Sequence, residues 1–281
     1  MSMAATSTPA RILDELNAPY SLTESLVRQF RENGFIKLSN VLSPEVIAWY
    51  QREISDLTFE YDPEKGTKLE NKDLYGRAFI QVGNLWEKSA MAAELICCRR
   101  LARLATELLG TVGARMYHDQ ALYKEGSGGI TPWHVDQQYW PMAAGNSVTA
   151  WIPLQPVPLE MGPLAFGKGS HLRHIGRDLE IGEQSERVIK AAVKRHKIVE
   201  VCEPFELGDV SFHYGWTLHR AGPNTTDTPR NVQTVIYMDE DMILREPKNE
   251  NQRRDRDNFS PGIQAGKIMA SAKNPVLYST R

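Results

Sequence analysis

His134-Val135-Asp136 sets an imidazole and a carboxylate two residues apart. In an extended chain such residues project to one face while the residue between them points away, so two metal-ligating groups converge. The pair becomes a metal site only if a second imidazole arrives from a neighbouring strand. Two histidines qualify, His213 and His219, both within the segment Asp209 to Asn224. Their even separation would place both on one face of an unbroken strand, so periodicity does not choose between them. Two imidazoles and one carboxylate on one face of an octahedron leave three positions free, the arrangement of non-haem Fe(II) oxygenases. Zinc enzymes draw on the same ligand types, so these residues by themselves fix neither metal nor reaction. Arg230 stands eleven residues beyond His219, where a following strand would return it beside the metal. Its guanidinium fork is a natural bidentate partner for a carboxylate in a partly dry cavity.

The elements that must hold these groups divide at about residue 110. Before it the chain reads as mainly helical. Ser21-Leu22-Thr23-Glu24 has the form of a capping box ahead of an apolar stripe, Leu26, Val27 and Phe30, that stops at Gly34. Phe35 to Leu38 reads as a short strand, Ser43-Pro44-Glu45 opens a helix, and Ala90 to Leu109 forms a further helical run. From Arg115 onward short β-rich runs, 116–123, 148–157, 198–202, 210–213 and 232–238, alternate with Gly/Pro-rich turns, and one helical insertion falls at about Ser185 to His196. Strands without regularly interleaved helices predict an antiparallel sandwich or barrel. The expectation is one α+β domain, mainly β, over residues 1–281: a flexible start (1–20), a helical part (21–110), a β core (111–240) and a C-terminal extension (241–281). The charge-dense stretch Arg245 to Asp257 reads as a solvated loop.

Composition narrows the class of function. With 33 Lys and Arg against 35 Asp and Glu, the chain lacks the basic excess of a nucleic-acid or anionic-membrane binder. No apolar run is long enough for a membrane span, and the start has no secretory h-region, so a cytoplasmic protein acting on a small molecule is expected. Cys97, Cys98 and Cys202 match neither a disulfide framework nor a zinc spacing. Nothing in the sequence sets an oligomeric state.

Three blocks then act together: Trp133-His134-Val135-Asp136-Gln137-Gln138-Tyr139-Trp140-Pro141, Gly167-Lys168-Gly169-Ser170-His171, and His219-Arg220-Ala221-Gly222-Pro223-Asn224 with Arg230. They resemble the phytanoyl-CoA dioxygenase family of Fe(II)- and 2-oxoglutarate-dependent oxygenases, and the resemblance runs from Phe30 to Tyr278. It implies a double-stranded β-helix, a cupin-like jelly roll flanked by the N-terminal helices. By position it implies His134, Asp136 and His219 as iron ligands and Arg230 as the partner of the distal carboxylate of 2-oxoglutarate. Trp151 matches a tryptophan lining the cosubstrate pocket, and Gln120 and Gln81 fall near positions that contact cosubstrate. Family members often carry a serine two residues after the distal histidine; here that position is Ala221, and Thr149 is the expected replacement donor. Asp136 occupies the position that halogenating relatives vacate for halide, which favours hydroxylation or another oxidation that consumes 2-oxoglutarate and O2 and releases succinate and CO2.

Other conspicuous side chains have plainer expectations. His213 and His171 are read as structural, Lys124 and Arg173 as solvated, and Trp133, Trp140 and Trp216 either as core or as walls of a substrate pocket. Substrate choice is assigned to the loops Leu57 to Gly76 and Ile175 to Arg195. The absence of a basic cluster suited to CoA phosphates favours a free metabolite over a CoA ester. Two other classes of protein could carry these residues. A non-catalytic jelly-roll binding protein would show a broken triad or lack the distal arginine, and neither defect is seen; a zinc-dependent hydrolase or isomerase would use the same ligands.

Overall fold

Ile12 and Leu16, four residues apart, bury one side of the first helix, α1 (Ala10–Asn17), so a segment expected to be flexible packs into the core instead. The computed structural model describes residues 7–72, 76 and 78–281. Helix α2 (Glu24–Asn33) starts two residues later than the capping-box reading, with the Thr23 hydroxyl accepting from the Leu26 amide at 3.3 Å. Strand β1 (Phe35–Leu38) follows, and then α3 (Pro44–Glu60), capped by Ser43 with proline in its first turn. After β2 (Ile80–Gly83), the run expected as one helix is two, α4 (Ala90–Ile96) and α5 (Arg99–Leu109), broken at an extended Cys98. The break lets α4 pack on α3 while α5 turns its Leu101, Leu104, Ala105 and Leu108 face onto the sheet below.

That sheet holds β3 (Gly113–Tyr123), β5 (Ser147–Pro153), β8 (Val210–Tyr214), β10 (Val232–Asp239) and β11 (Val276–Ser279), together with β1 and β2. Among the described residues it has seven antiparallel strands, with β2 and β11 sharing the outer side of β3. A second, four-stranded sheet orders β4 (Thr131–His134), β9 (His219–Ala221), β6 (Leu164–Gly167) and β7 (Glu200–Cys202). Helix α6 (Glu183–Arg195) packs against β4 of this sheet, where Ile189 joins Trp133 and Leu218 in an apolar cluster. The two sheets face one another as the jelly roll that the sequence resemblance implies.

Alternation along the large sheet separates packing from chemistry. On β5, Val148, Ala150 and Ile152 face the helices, whereas Thr149 and Trp151 face inward. On β3, Ala121 and Tyr123 face the helices, whereas His118, Gln120 and Leu122 face inward. Part of the stretch read as a solvated loop is instead α7 (Glu250–Phe259), whose Asn249 cap accepts from the Gln252 amide at 2.9 Å. Charge density there had masked a capped helix that closes one side of the space between the sheets. The C-terminal segment is likewise built in, since β11 extends the large sheet.

Candidate metal centre

Strands β4 and β9 pair so that His134 lies directly opposite His219, which brings residues 85 positions apart in the chain to a ring-centroid distance of 4.1 Å. Each imidazole is oriented from behind. Nδ1–H of His134 donates to the Pro132 carbonyl at 2.7 Å, and Nδ1–H of His219 donates to the Thr217 carbonyl at 3.0 Å. Both Nε2 lone pairs are thereby left for a metal. Asp136 places Oδ1 3.4 Å from each Nε2. Two ligands at right angles, each about 2.1 Å from an ion, are about 3 Å apart, so the three groups fit a facial triad. One ligand atom from each lies within 4.8 Å of the others.

His213 answers the ambiguity left by periodicity. The strand does not continue from His213 to His219: β8 belongs to the large sheet, β9 to the small one, and the chain crosses between them at 215–218. A Cβ on Gly215 would meet Trp140 at 2.6 Å and the Ser147 hydroxyl at 2.8 Å, so the crossing needs glycine. From β8, His213 Nε2–H donates at 3.2 Å to Asp136 Oδ2, the oxygen turned away from the two ligand histidines, and the Thr149 hydroxyl donates to the same atom at 3.2 Å. Burial raises the Asp136 carboxyl, but its imidazole neighbours, His219 first and then His134 and His213, outweigh it and hold the group well below the usual carboxylate range. Burial, with His219 alongside, lowers His134, which keeps the ring in its neutral, ligating form.

The triad opens on a cavity of about 550 Å³ between the sheets. Arg230, 2% exposed, stands two residues before β10 begins. Its Nη1 donates to the Gly162 carbonyl, its guanidinium lies 5.4 Å from the centre of the Trp151 ring, and its buried Nε has no partner. Burial lowers it to about 10. Gly162 has φ +65°, and a side chain there would collide with the Gly222 carbonyl. Lys124, expected in solvent, is fully buried and bridged to Arg230 across β3 and β10. The reason is local: its Nζ donates to the carbonyls of Gly129 and Gly222 (3.0 Å to the latter), stitching the Gly-rich loop before β4 to the segment after β9. Burial, and then the charge of Arg230, bring this amine down to about 6.

The remaining expected residues are in place around the same space. Trp151 lines it with a buried indole N–H that has no partner, Gln120 and Gln81 line it and hydrogen-bond to each other, and Thr234 faces Gln120 across the β10–β3 pair. Thr149 is committed to Asp136, so its hydroxyl is not the free donor expected beside Ala221. The residue paired with Ala221 is Thr131, which also lines the cavity and sits 3.4 Å from Lys124 Nζ. Of the tryptophans, Trp140 walls the cavity, Trp133 packs under α6, and Trp216 stacks with Arg177. Of the two substrate loops, 175–195 supplies Glu180 and Ile181 to the cavity. Residues 73–75 of the other lie outside the described residues. His118, Asn251, Arg254, Asp255, Asn258 and Phe259 also line the space without having been foreseen. The alternation of β3 carried a signal for His118; nothing local marked the others.

A dicarboxylate keto acid fits this cavity: it would offer acceptors to the orphaned Arg230 Nε and Trp151 N–H while its other end reached the open side of the triad. No helix among the described residues is long and apolar enough to cross a membrane. The phytanoyl-CoA dioxygenase family profile matches residues 30–232. Among curated relatives, a probable alpha-ketoglutarate-dependent hypophosphite dioxygenase of Stutzerimonas stutzeri is 24% identical over 75% of this chain and 76% of its own length. The ectoine dioxygenase of Stutzerimonas stutzeri strain A1501 is 25% identical over 87% of each chain. Among solved structures, the epimerase SnoN in complex with Fe3+, alpha ketoglutarate and nogalamycin RO is 26% identical with a TM-score of 0.74, covering 91% of this chain and 98% of that one. The carbocyclase SnoK from nogalamycin biosynthesis is 25% identical with a TM-score of 0.73, covering 92% and 99%. The chain belongs to the phytanoyl-CoA dioxygenase family and is an iron- and 2-oxoglutarate-dependent oxidoreductase.

Proposed function

We propose that the protein is a dioxygenase that hydroxylates a C–H bond of a small organic metabolite while converting 2-oxoglutarate and O2 to succinate and CO2. The observation that carries this reading is the division of labour at Asp136: one oxygen faces the Nε2 atoms of His134 and His219, and the other is held by Thr149 and His213. So held, the carboxylate would offer a metal ion one oxygen and leave room beside it for exogenous ligands. Bound there, ferrous iron with 2-oxoglutarate supplies the oxidising chemistry.

The side chains do the rest. His134, Asp136 and His219 hold the ion. Arg230 pairs with the distal carboxylate, Trp151 donates its indole N–H, and Thr131 supplies the hydroxyl that Ala221 lacks. Gln81, Gln120 and Thr234 line the path between, and Leu164 and Trp151 exclude water from it. The discriminating experiment is anaerobic addition of Fe(II) and 2-oxoglutarate to the purified protein. A weak visible charge-transfer band is expected, and zinc in place of iron should give none. Stoichiometric zinc retention with no band from iron would overturn the reading in favour of a hydrolase.

A second outcome has specific support. SnoN and SnoK, an epimerase and a carbocyclase, share this fold along nearly the whole chain at 25–26% identity. Epimerisation or ring closure leaves no new oxygen in the product, so 18O2 labelling separates these outcomes from hydroxylation.

A further inference from the structure

One side of the cavity is used by neither the ion nor the dicarboxylate. Between Ile236 and Tyr237 the β10–β3 register slips, so that Ile236 pairs with His118 and Tyr237 with Met116, leaving Tyr117 as an extra residue. This bulge turns two successive side chains, Tyr117 and His118, toward α7. His118 stacks on Phe259 at 4.0 Å and is 5% exposed, and its Nδ1 has no partner. Asp255, one turn before Phe259, has only a long contact, 3.5 Å, with the Tyr117 hydroxyl. Burial lifts its carboxyl to about 7 even though Arg254 opposes the shift. Because Ile236 also pairs with Thr149, which holds Asp136, His118 is level with the metal and two strand spacings, about 10 Å, from Thr149.

The cavity is therefore polarised. Arg230 stands at one end without an acidic partner, whereas Asp255 and Glu180 stand beside α7, where the exposed Arg254 is the cation among the lining residues. Phe259, Trp140 and Tyr139 line the same cavity as Asp255 and the triad, and aromatic rings attract cations. We infer that Asp255, with His118 accepting a hydrogen bond beside it, is the substrate's anchor, and that the substrate is an amine-bearing organic molecule. Its protonated nitrogen pairs with Asp255 while its apolar body lies against Trp140 and Phe259, within reach of the metal. This inference rests on the oxygenase reading above and deepens it.

The test uses the protein loaded with Fe(II) and 2-oxoglutarate under anaerobic conditions, titrated with 2-phenylethylamine, 2-phenylethanol and 3-phenylpropionate and followed by tryptophan fluorescence. The amine should bind about ten-fold more tightly than the alcohol, and the carboxylate more weakly than either. Asp255→Asn should bring amine and alcohol to within about two-fold of each other, and Asp255→Lys should make the carboxylate the preferred probe. A merely structural role for Asp255 would not reverse the preference. Should Asp255→Asn fail to fold, Asp255→Ser serves the same comparison. Equal binding of amine and alcohol to the unaltered protein, or an amine preference that survives loss of the carboxylate, overturns the inference. The charge-transfer band separates the two layers: a band without amine preference overturns this inference alone, and no band overturns the oxygenase reading beneath it as well.

Discussion

At the metal end of the cavity the oriented polar atoms are held by the protein itself. Two histidines are steered by backbone carbonyls two residues upstream, and Asp136 takes hydrogen bonds on the oxygen that faces away from them. At the Arg230 end the reverse holds. Arg230 and Lys124 are buried side by side, donate to backbone carbonyls, and have no carboxylate partner. Burying charge without compensation is costly. The first arrangement fixes geometry before any ligand arrives; the second leaves the buried guanidinium of Arg230 uncompensated, a deficit that an anionic ligand would relieve. Preorganisation and selectivity for an anion are thus built at opposite ends of one space.

The sharpest way to break this contrast is His219→Ala. It should abolish stoichiometric Fe(II) binding and lower succinate formation by about 10³-fold or more, because the ion loses a direct ligand, whereas His213→Ala should retain measurable turnover. Retained iron in His219→Ala together with loss in His213→Ala would exchange the two roles. Next in size, Arg230→Ala should weaken 2-oxoglutarate binding by about 100-fold, equivalent to about 2.7 kcal/mol, in a titration of the charge-transfer band, while Fe(II) affinity changes little. Thr149→Val removes one of two hydrogen bonds on Asp136 Oδ2 and should cost about ten-fold in Fe(II) affinity by equilibrium dialysis, with 2-oxoglutarate affinity nearly kept if Thr131 is the hydroxyl that matters there.

The smallest effect is read in stability. Lys124 titrates near 6 when folded, far below an ordinary lysine, so between about pH 6 and pH 10 the unfolded chain holds one more proton than the folded one. Unfolding free energy should therefore rise with pH in that window by at most about 1.4 kcal/mol per unit from this group, and the gain should be lost as pH falls toward 6. Urea unfolding of Lys124→Met should show a shallower pH slope than the unaltered protein. Equal slopes would mean that Lys124 is charged in the folded state.

Much of the site was legible because its signals are local. His134 and Asp136 share a face by strand geometry, and the strand positions read at 116–123 and 232–238 reappear with small shifts at their ends as β3 and β10. What was misread has a physical pattern as well. Lys124 looked solvated because charge is normally exposed, yet carbonyls from residues as distant as Gly222 hold it inside. The segment 245–257 looked like a loop because, Pro247 aside, it has no apolar residue to mark a helical stripe, although Asn249 carried a cap signal and the helix finds its partners in Gln138, Tyr117 and His118.

Strand geometry put His134 and Asp136 on one face, the β-rich runs predicted a sandwich or barrel, and three contiguous motifs carried the resemblance that implied His219, Arg230 and a jelly roll, because each of these signals lies within one strand or one motif. What separates His213 from His219, which threonines stand beside Asp136 and Ala221, and what closes the cavity were decided by the crossing of the chain from β8 to β9, by the pairing of Thr131 with Ala221, and by the docking of α7. Those depend on which sheet a strand joins and what lies opposite it, and periodicity reports the face of an element but not its neighbour.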